Sequence, residues 1–172
     1  MTGSPSGGGT RDDEPGAAPR LTHVDETGAA RMVDVSQKAV TTRVATAAGR
    51  VLVSPEVVEL LRGGGVPKGD AVAVARIAGI AGAKRTPDLV PLCHPIALHG
   101  VTVEVEVTDD AVEITATART ADRTGVEMEA LTSVAVAGLT MIDMVKAVDP
   151  RAAITDVRLL AKSGGKSGEW VR

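Results

Sequence analysis

The chain has 172 residues, 44% of them hydrophobic, with no Phe, no Tyr, one Trp and a formal net charge of −3. That length fits a single domain able to bury roughly two-thirds of its unfolded surface, and the near-neutral balance argues against nucleic acid or a membrane surface as partner. One cysteine excludes a disulfide framework, and three histidines beside it are too few and too scattered for a structural zinc site.

Residues 1–20 are rich in Gly, Pro, Ser and charge and bury too little apolar surface to order themselves, so a disordered tail is expected there, followed by one folded domain over 21–172. No basic stretch followed by an apolar one opens the chain, and no run of 18 apolar residues is free of charge, which points to a soluble, cytoplasmic protein. The Val- and Thr-rich stretch Val40 to Val53 reads as a strand. Ser54-Pro55-Glu56 then supplies a capping hydroxyl, a proline at the first helical position and an acid in the first turn; the helix stops at Gly63 to Gly65. Asp70 caps a second helix that ends before Pro87. Val101, Val103, Val105 and Val107 alternate with polar residues, and Asp109-Asp110 turns the chain into a second alternating run, Ala111 to Arg119. A long helix over Gly125 to Val148 and a last strand around Ile154 to Ala161 follow. Strand, helices, strand, strand, helix, strand is the order of a ferredoxin-like α+β sandwich, β-α-β-β-α-β on an antiparallel sheet, with an extra helix in the first crossover.

The long helix is mostly apolar yet carries Glu127 and Glu129 near its start and Asp143 and Lys146 near its end. Charge inside a buried element is unfavourable by several kcal/mol unless it is paired, so this helix is the first place to look for chemistry. Asp143 and Lys146 are three apart, share a face and can pair. Glu129 and Asp143 point the same way but lie about 21 Å apart along the axis, so no single reacting atom touches both on one helix. Either a long ligand bridges them or different subunits bring them together. A solvent-facing ion pair explains the last turn equally well on periodicity alone.

The segment AKSGGKSG, Ala161 to Gly168, combines glycines that let amides converge on an anion with Lys162 and Lys166 to neutralise it; a flexible terminus is the bland alternative. It lacks the spacing of a Walker A loop. Pro91 and Pro95 fix the backbone around Leu92-Cys93-His94, where His94 is a candidate acid, base or anion donor and Cys93 a small buried hydrophobe. Nothing in the sequence lifts His23 or His99 above surface histidines. Lys68 precedes the Asp70 cap and so lies beside a helix N-terminus, with Arg76, Lys84 and Arg85 along or beyond that helix. Solvated charge is the default reading for all four.

Together, LTHVDETGAARMVDVSQKAVTTR, VPKGDAVAVARIAGIAGAKRTPDLVPLCHP, TGVEMEALTSVAVAGLTMIDMVKAV and VRLLAKSGGKSGEW closely resemble the cyclic pyranopterin monophosphate synthase family, the molybdenum cofactor biosynthesis protein C. The resemblance spans about Leu21 to Trp170. It implies a lyase that rearranges 3′,8-cyclo-7,8-dihydroguanosine 5′-triphosphate to cyclic pyranopterin monophosphate with loss of pyrophosphate. It also implies a ferredoxin-like subunit assembled as a homohexamer, a trimer of dimers, with sites between subunits. Carried over residue by residue, the catalytic aspartate falls on Asp143 and the functional lysines on Lys146, Lys68, Lys162 and Lys166. The substrate-contacting segments fall on Leu92, Cys93 and His94 and on Met128 and Glu129, with Glu127 beside them. Val145 stands where the family often has cysteine.

The expected roles follow from residue type. Lysine is a compact point charge suited to phosphate, and an Asp143–Lys146 pair tuned towards neutrality suits proton transfer. Lys68 and Lys146 are expected as acid and base, Asp143 as their orienting or proton-accepting partner, Lys162 and Lys166 on phosphate, and His94 on substrate or leaving pyrophosphate. No cofactor or resident metal is expected, although a divalent cation can accompany the triphosphate. A ferredoxin-like RNA-binding module is disfavoured because both alternating strands lack aromatic residues for stacking bases. A non-catalytic, oligomeric purine-triphosphate-binding protein would use the same lysines.

Overall fold

Burial alternates along three long strands, and that alternation decides which face of the sheet the helices cover. The computed structural model describes residues 27–66 and 68–172, so the tail over 1–20 and His23 lie outside the described residues. The chain divides into two units, 1–33 and Asp34–Arg172, and the fold below is that of the second.

β1 (Thr41–Leu52) turns Ala45, Ala47 and Val51 into the core and leaves Val44, Thr46, Ala48 and Arg50 only half-buried. α1 (Pro55–Gly63) starts as its sequence dictates, with Ser54 Oγ accepting from the Val57 amide, and ends on Gly64 in the left-handed region at φ 70°. α2 (Ala71–Ala83) is capped by Asp70, whose side chain accepts from the Ala73 amide. A short α3 (Thr86–Leu89) follows. β2 (Leu98–Val107) and β3 (Ala111–Asp122) form a hairpin whose turn is closed by the Thr108 amide on the Ala111 carbonyl at 2.9 Å. α4 (Glu127–Val145), β4 (Ala153–Ser163) and β5 (Trp170–Val171) complete the described chain.

The sheet runs β2-β3-β1-β4-β5 with every neighbouring pair antiparallel. Its first four strands are in ferredoxin-like order, and the α+β expectation holds. α4 is long and apolar enough to span a membrane by composition, but half of it is buried inside the protein, as a core helix is. It packs on β1, β3 and β4 and carries α2 alongside.

Three details go beyond the expectation. α2 ends before Pro87 as expected, and Pro87 itself sits in the first turn of the short α3, where its missing amide leaves no hydrogen bond unmade. β4 continues past Ala161 to Ser163, so Lys162 is a strand residue and not a loop residue. Residues 170–171 return as β5, pairing Trp170 with Lys162 and Val171 with Ala161.

Close contact between α2 and α4 depends on glycine. A Cβ built on Gly82 would lie 2.7 Å from Val136 Cβ, and one on Gly79 would lie 3.0 Å from the Ser133 carbonyl oxygen. Gly82→Val is therefore expected to destabilise the fold by about 1–3 kcal/mol in urea denaturation through overpacking. Gly63→Ala, whose added methyl meets nothing within 4 Å, serves as the tolerated control.

Candidate active site

At the C-terminal end of α4 one carboxylate collects two lysines. Lys146, three residues on, places Nζ 2.6 Å from Asp143 Oδ1, as the spacing predicts. Lys68, in the turn that Gly69 allows at φ 97°, donates to Asp143 Oδ2 at 2.9 Å and to the Asp143 carbonyl at 2.7 Å. The Lys146 and Lys68 hydrogen bonds and charges hold Asp143 down at about 2. Tuning towards neutrality, expected from the sequence, does not occur here: Asp143 is a firm carboxylate. Nor are these charges embedded. Asp143, Lys146 and Lys68 have side chains 55%, 57% and 43% exposed. Exposed ion pairs add little to stability, so three charges gathered on the surface are better explained by what they can bind.

At the other end of α4 the ionisable groups are partly or wholly buried. Lys162 lies opposite buried Ala45 in the sheet register, so it reaches the helix-covered side and pairs with Glu127 Oε1 at 2.9 Å. Gly125 lies against this pair: a Cβ there would meet the end of the Glu127 side chain, which would have to swing away from its present position. Met128 is partly exposed, whereas Glu129 is only 3% exposed and its Oε2 has no hydrogen-bond partner among the described residues. Burial, assisted by the neighbouring Glu127 charge, pushes Glu129 up to about 7, against the pull of its own backbone amide.

Two loops border this end. Leu92, Cys93 and His94 follow α3 and are all half-buried, so Cys93 is not the fully buried hydrophobe expected from composition. Burial and the Glu129 charge push its thiol up. Asp34, missed in the sequence, accepts from the Ser36 amide at 2.8 Å, and these bonds together with nearby His94 hold it below the usual carboxylate range. His99 also has a function of its own in the fold: Nδ1 accepts from the Ala121 amide at 3.3 Å.

The glycine turn after β4 is shaped by Arg43, which the sequence did not single out. Arg43 donates to the carbonyls of Asp122 at 2.9 Å and Arg123 at 3.1 Å. Gly164 and Gly165 have φ of 92° and 72°. A Cβ on Gly164 would meet the Thr42 carbonyl, and one on Gly165 the Arg43 guanidinium. The paired glycines were legible as a close approach, but the group they approach is a protein cation as well as any anion. Lys166 is exposed on this turn. Arg76 donates to the Val103 carbonyl at 3.2 Å, tying α2 to β2. Among the described residues no group of three or more His, Cys, Asp or Glu is placed to hold a metal ion.

Two sets of residues therefore stand at opposite ends of α4. Lys68, Asp143 and Lys146 make one; Glu127, Glu129, Met128, Lys162 and Cys93, with Leu92 and His94 in the same loop, make the other. A family model described as the MoaC family matches residues 32–165, a span that contains every residue of both sets. The chain belongs to the MoaC family. A protein of Streptomyces griseus named cyclic pyranopterin monophosphate synthase is 73% identical over 172 residues, covering 100% of this chain and 96% of its own length. A cyclic pyranopterin monophosphate synthase 2 of Mycobacterium tuberculosis is 60% identical over 152 residues, 88% of this chain and 91% of its own. One from Parvibaculum lavamentivorans is 56% identical over 156 residues, 90% of this chain and 98% of its own. The MoaC-family match runs through β1 to β4 up to Gly165 and leaves β5 beyond it.

Proposed function

We propose that the chain is a cytoplasmic lyase converting 3′,8-cyclo-7,8-dihydroguanosine 5′-triphosphate to cyclic pyranopterin monophosphate and pyrophosphate, an early step of molybdenum cofactor biosynthesis. It acts as a homohexamer, a trimer of dimers, without nucleic acid, membrane or a resident metal; a divalent cation travelling with the triphosphate is compatible with this. Membership of the family and the names of its relatives support the activity. The observation that carries it on this chain is Asp143 held between Lys68 and Lys146 on an exposed surface.

The net change sets the chemistry. To turn a triphosphate into a cyclic monophosphate, a sugar oxygen must bond to the α-phosphorus as the bond to the departing pyrophosphate oxygen breaks. The attacking hydroxyl loses a proton, and negative charge grows on the leaving group. Fixed ammonium groups stabilise such charge well because they need no reorganisation. Asp143 orients Lys68 and Lys146 as ammoniums, so their first contribution is donation of a hydrogen bond or proton. Lys162, from the other set, and Lys166, on the glycine turn after β4, serve the phosphates, with phosphate competing against Glu127 for Lys162. His94 and its neighbours Leu92 and Cys93 flank the substrate, as do Met128 and Glu129.

The two sets are separated by most of the length of α4, so a second protomer completes each site. Incubating the purified chain with the cyclised triphosphate and measuring pyrophosphate and cyclic product tests the activity. Tight binding without pyrophosphate release would instead mark a non-catalytic triphosphate-binding protein.

A further inference from the structure

We infer that Glu129 meets the substrate as an uncharged acid, donating a hydrogen bond from its carboxyl group instead of presenting a negative charge. The inference rests on the activity proposed above and deepens the part Glu129 plays in it.

Glu129 lies in the first turn of α4, is 3% exposed, and leaves Oε2 without a partner among the described residues. One turn further along the same face, Ser133 is fully buried and its Oγ is unpartnered too. Buried polar atoms nearly always find partners, so the orphaned Glu129 Oε2 marks a place where a ligand's polar group is expected, whereas Ser133 Oγ is closed in against Gly79 of α2.

The facing groups offer Glu129 no compensating cation. From its own helix comes Glu127, a like charge that raises it further. From the loop before β2 comes Cys93, whose thiol is itself pushed up. Lys162, on β4, is committed to Glu127 at 2.9 Å. From α2, the residue that meets Ser133 is Gly79, which brings no charge. The helix N-terminus and its own amide favour the carboxylate, but burial outweighs them.

A neutral acid also suits the ligand. A second carboxylate beside Glu127 would repel a polyanionic triphosphate, whereas a carboxylic acid can donate to a carbonyl oxygen or ring nitrogen of the reduced purine. Arrival of the substrate's own negative charge favours the protonated form still more.

Three readouts test this on the intact protein. In kcat/KM against pH, the wild type should fall above about pH 7 as Glu129 ionises. Glu129→Gln keeps an isosteric neutral donor and should remain within about tenfold of wild type at pH 6, losing the fall near 7. Glu129→Ala, lacking the donor, should lose roughly 10²–10³-fold. Gln as inactive as Ala, or a wild-type profile that rises through pH 7, overturns the inference.

The other readouts need no turnover, so they separate this inference from the proposed reaction. With the folded value near 7 and an ordinary unfolded value of 4.5, the native state holds the proton more tightly. The stability Glu129 contributes is therefore full below about pH 4.5 and lost as pH rises to about 7. The melting temperature of Glu129→Gln should lack that decline. In carbon NMR with labelled glutamate, the carboxyl signal missing from Glu129→Gln should titrate near 7, and titration near 4 overturns the inference even if pyrophosphate is released normally.

Discussion

Replacing Asp143 with Asn is expected to lower turnover by roughly 10²–10⁴-fold, the range for loss of a well-placed acid–base arrangement. The substitution keeps size and shape but removes the charge that both lysines share. Lys68 retains its 2.7 Å bond to the Asp143 carbonyl and so stays partly placed. Lys146 loses the 2.6 Å ion pair that orients it, and its head group returns to several rotamers. The loss should fall on kcat more than on KM if, as proposed, the phosphates are held by Lys162 and Lys166. The fold should be unaffected, since the pairs are exposed, and the melting temperature near neutral pH should stay close to that of the wild type. Turnover near the wild-type rate in a folded Asn variant would take Asp143 out of the mechanism.

A second large effect is expected from combining two inactive variants. Asp143→Asn spoils one end of α4 and Lys162→Ala the other. If each site draws its two ends from different protomers, dissociating and reassembling equal amounts of the variants yields half mixed dimers, each with one intact site of two. Activity should return to about one quarter of the wild-type level. In a site built within one chain every protomer carries a lesion, and the mixture would stay as inactive as its components. The prediction follows from helix geometry: Glu129 and Asp143 are fourteen positions apart, a rise of about 21 Å. One protomer leaves that distance open.

How far the sequence discloses this arrangement depends on how local each contact is. The Ser54 and Asp70 caps, the alternating valines of β2 and the Asp143–Lys146 pair are all set within a few residues, and all are as expected. Lys68 meets Asp143 across 75 residues and Lys162 meets Glu127 across 35, so no periodicity could join them. Only the order of the sheet and the packing of α2 on α4 bring them together. Arg43 was hidden for the same reason, since its partners are the last residue of β3, Asp122, and the next one, Arg123. The resemblance named most of the residues in both sets, but not their state. It is the folded protein that makes Asp143 a settled anion and buries Glu129 in a position where charge is disfavoured. Residue type alone assigns two carboxylates; their surroundings give them opposite characters.

The final strand has a practical consequence. With no tyrosine and a single tryptophan in the chain, near-ultraviolet emission comes from Trp170 alone. That indole is 40% exposed and stands across the ladder from Lys162. Intrinsic fluorescence is thus a local gauge: it reports detachment of the sheet margin rather than melting of the core. It also gives an unlabelled optical signal beside a lysine assigned to phosphate.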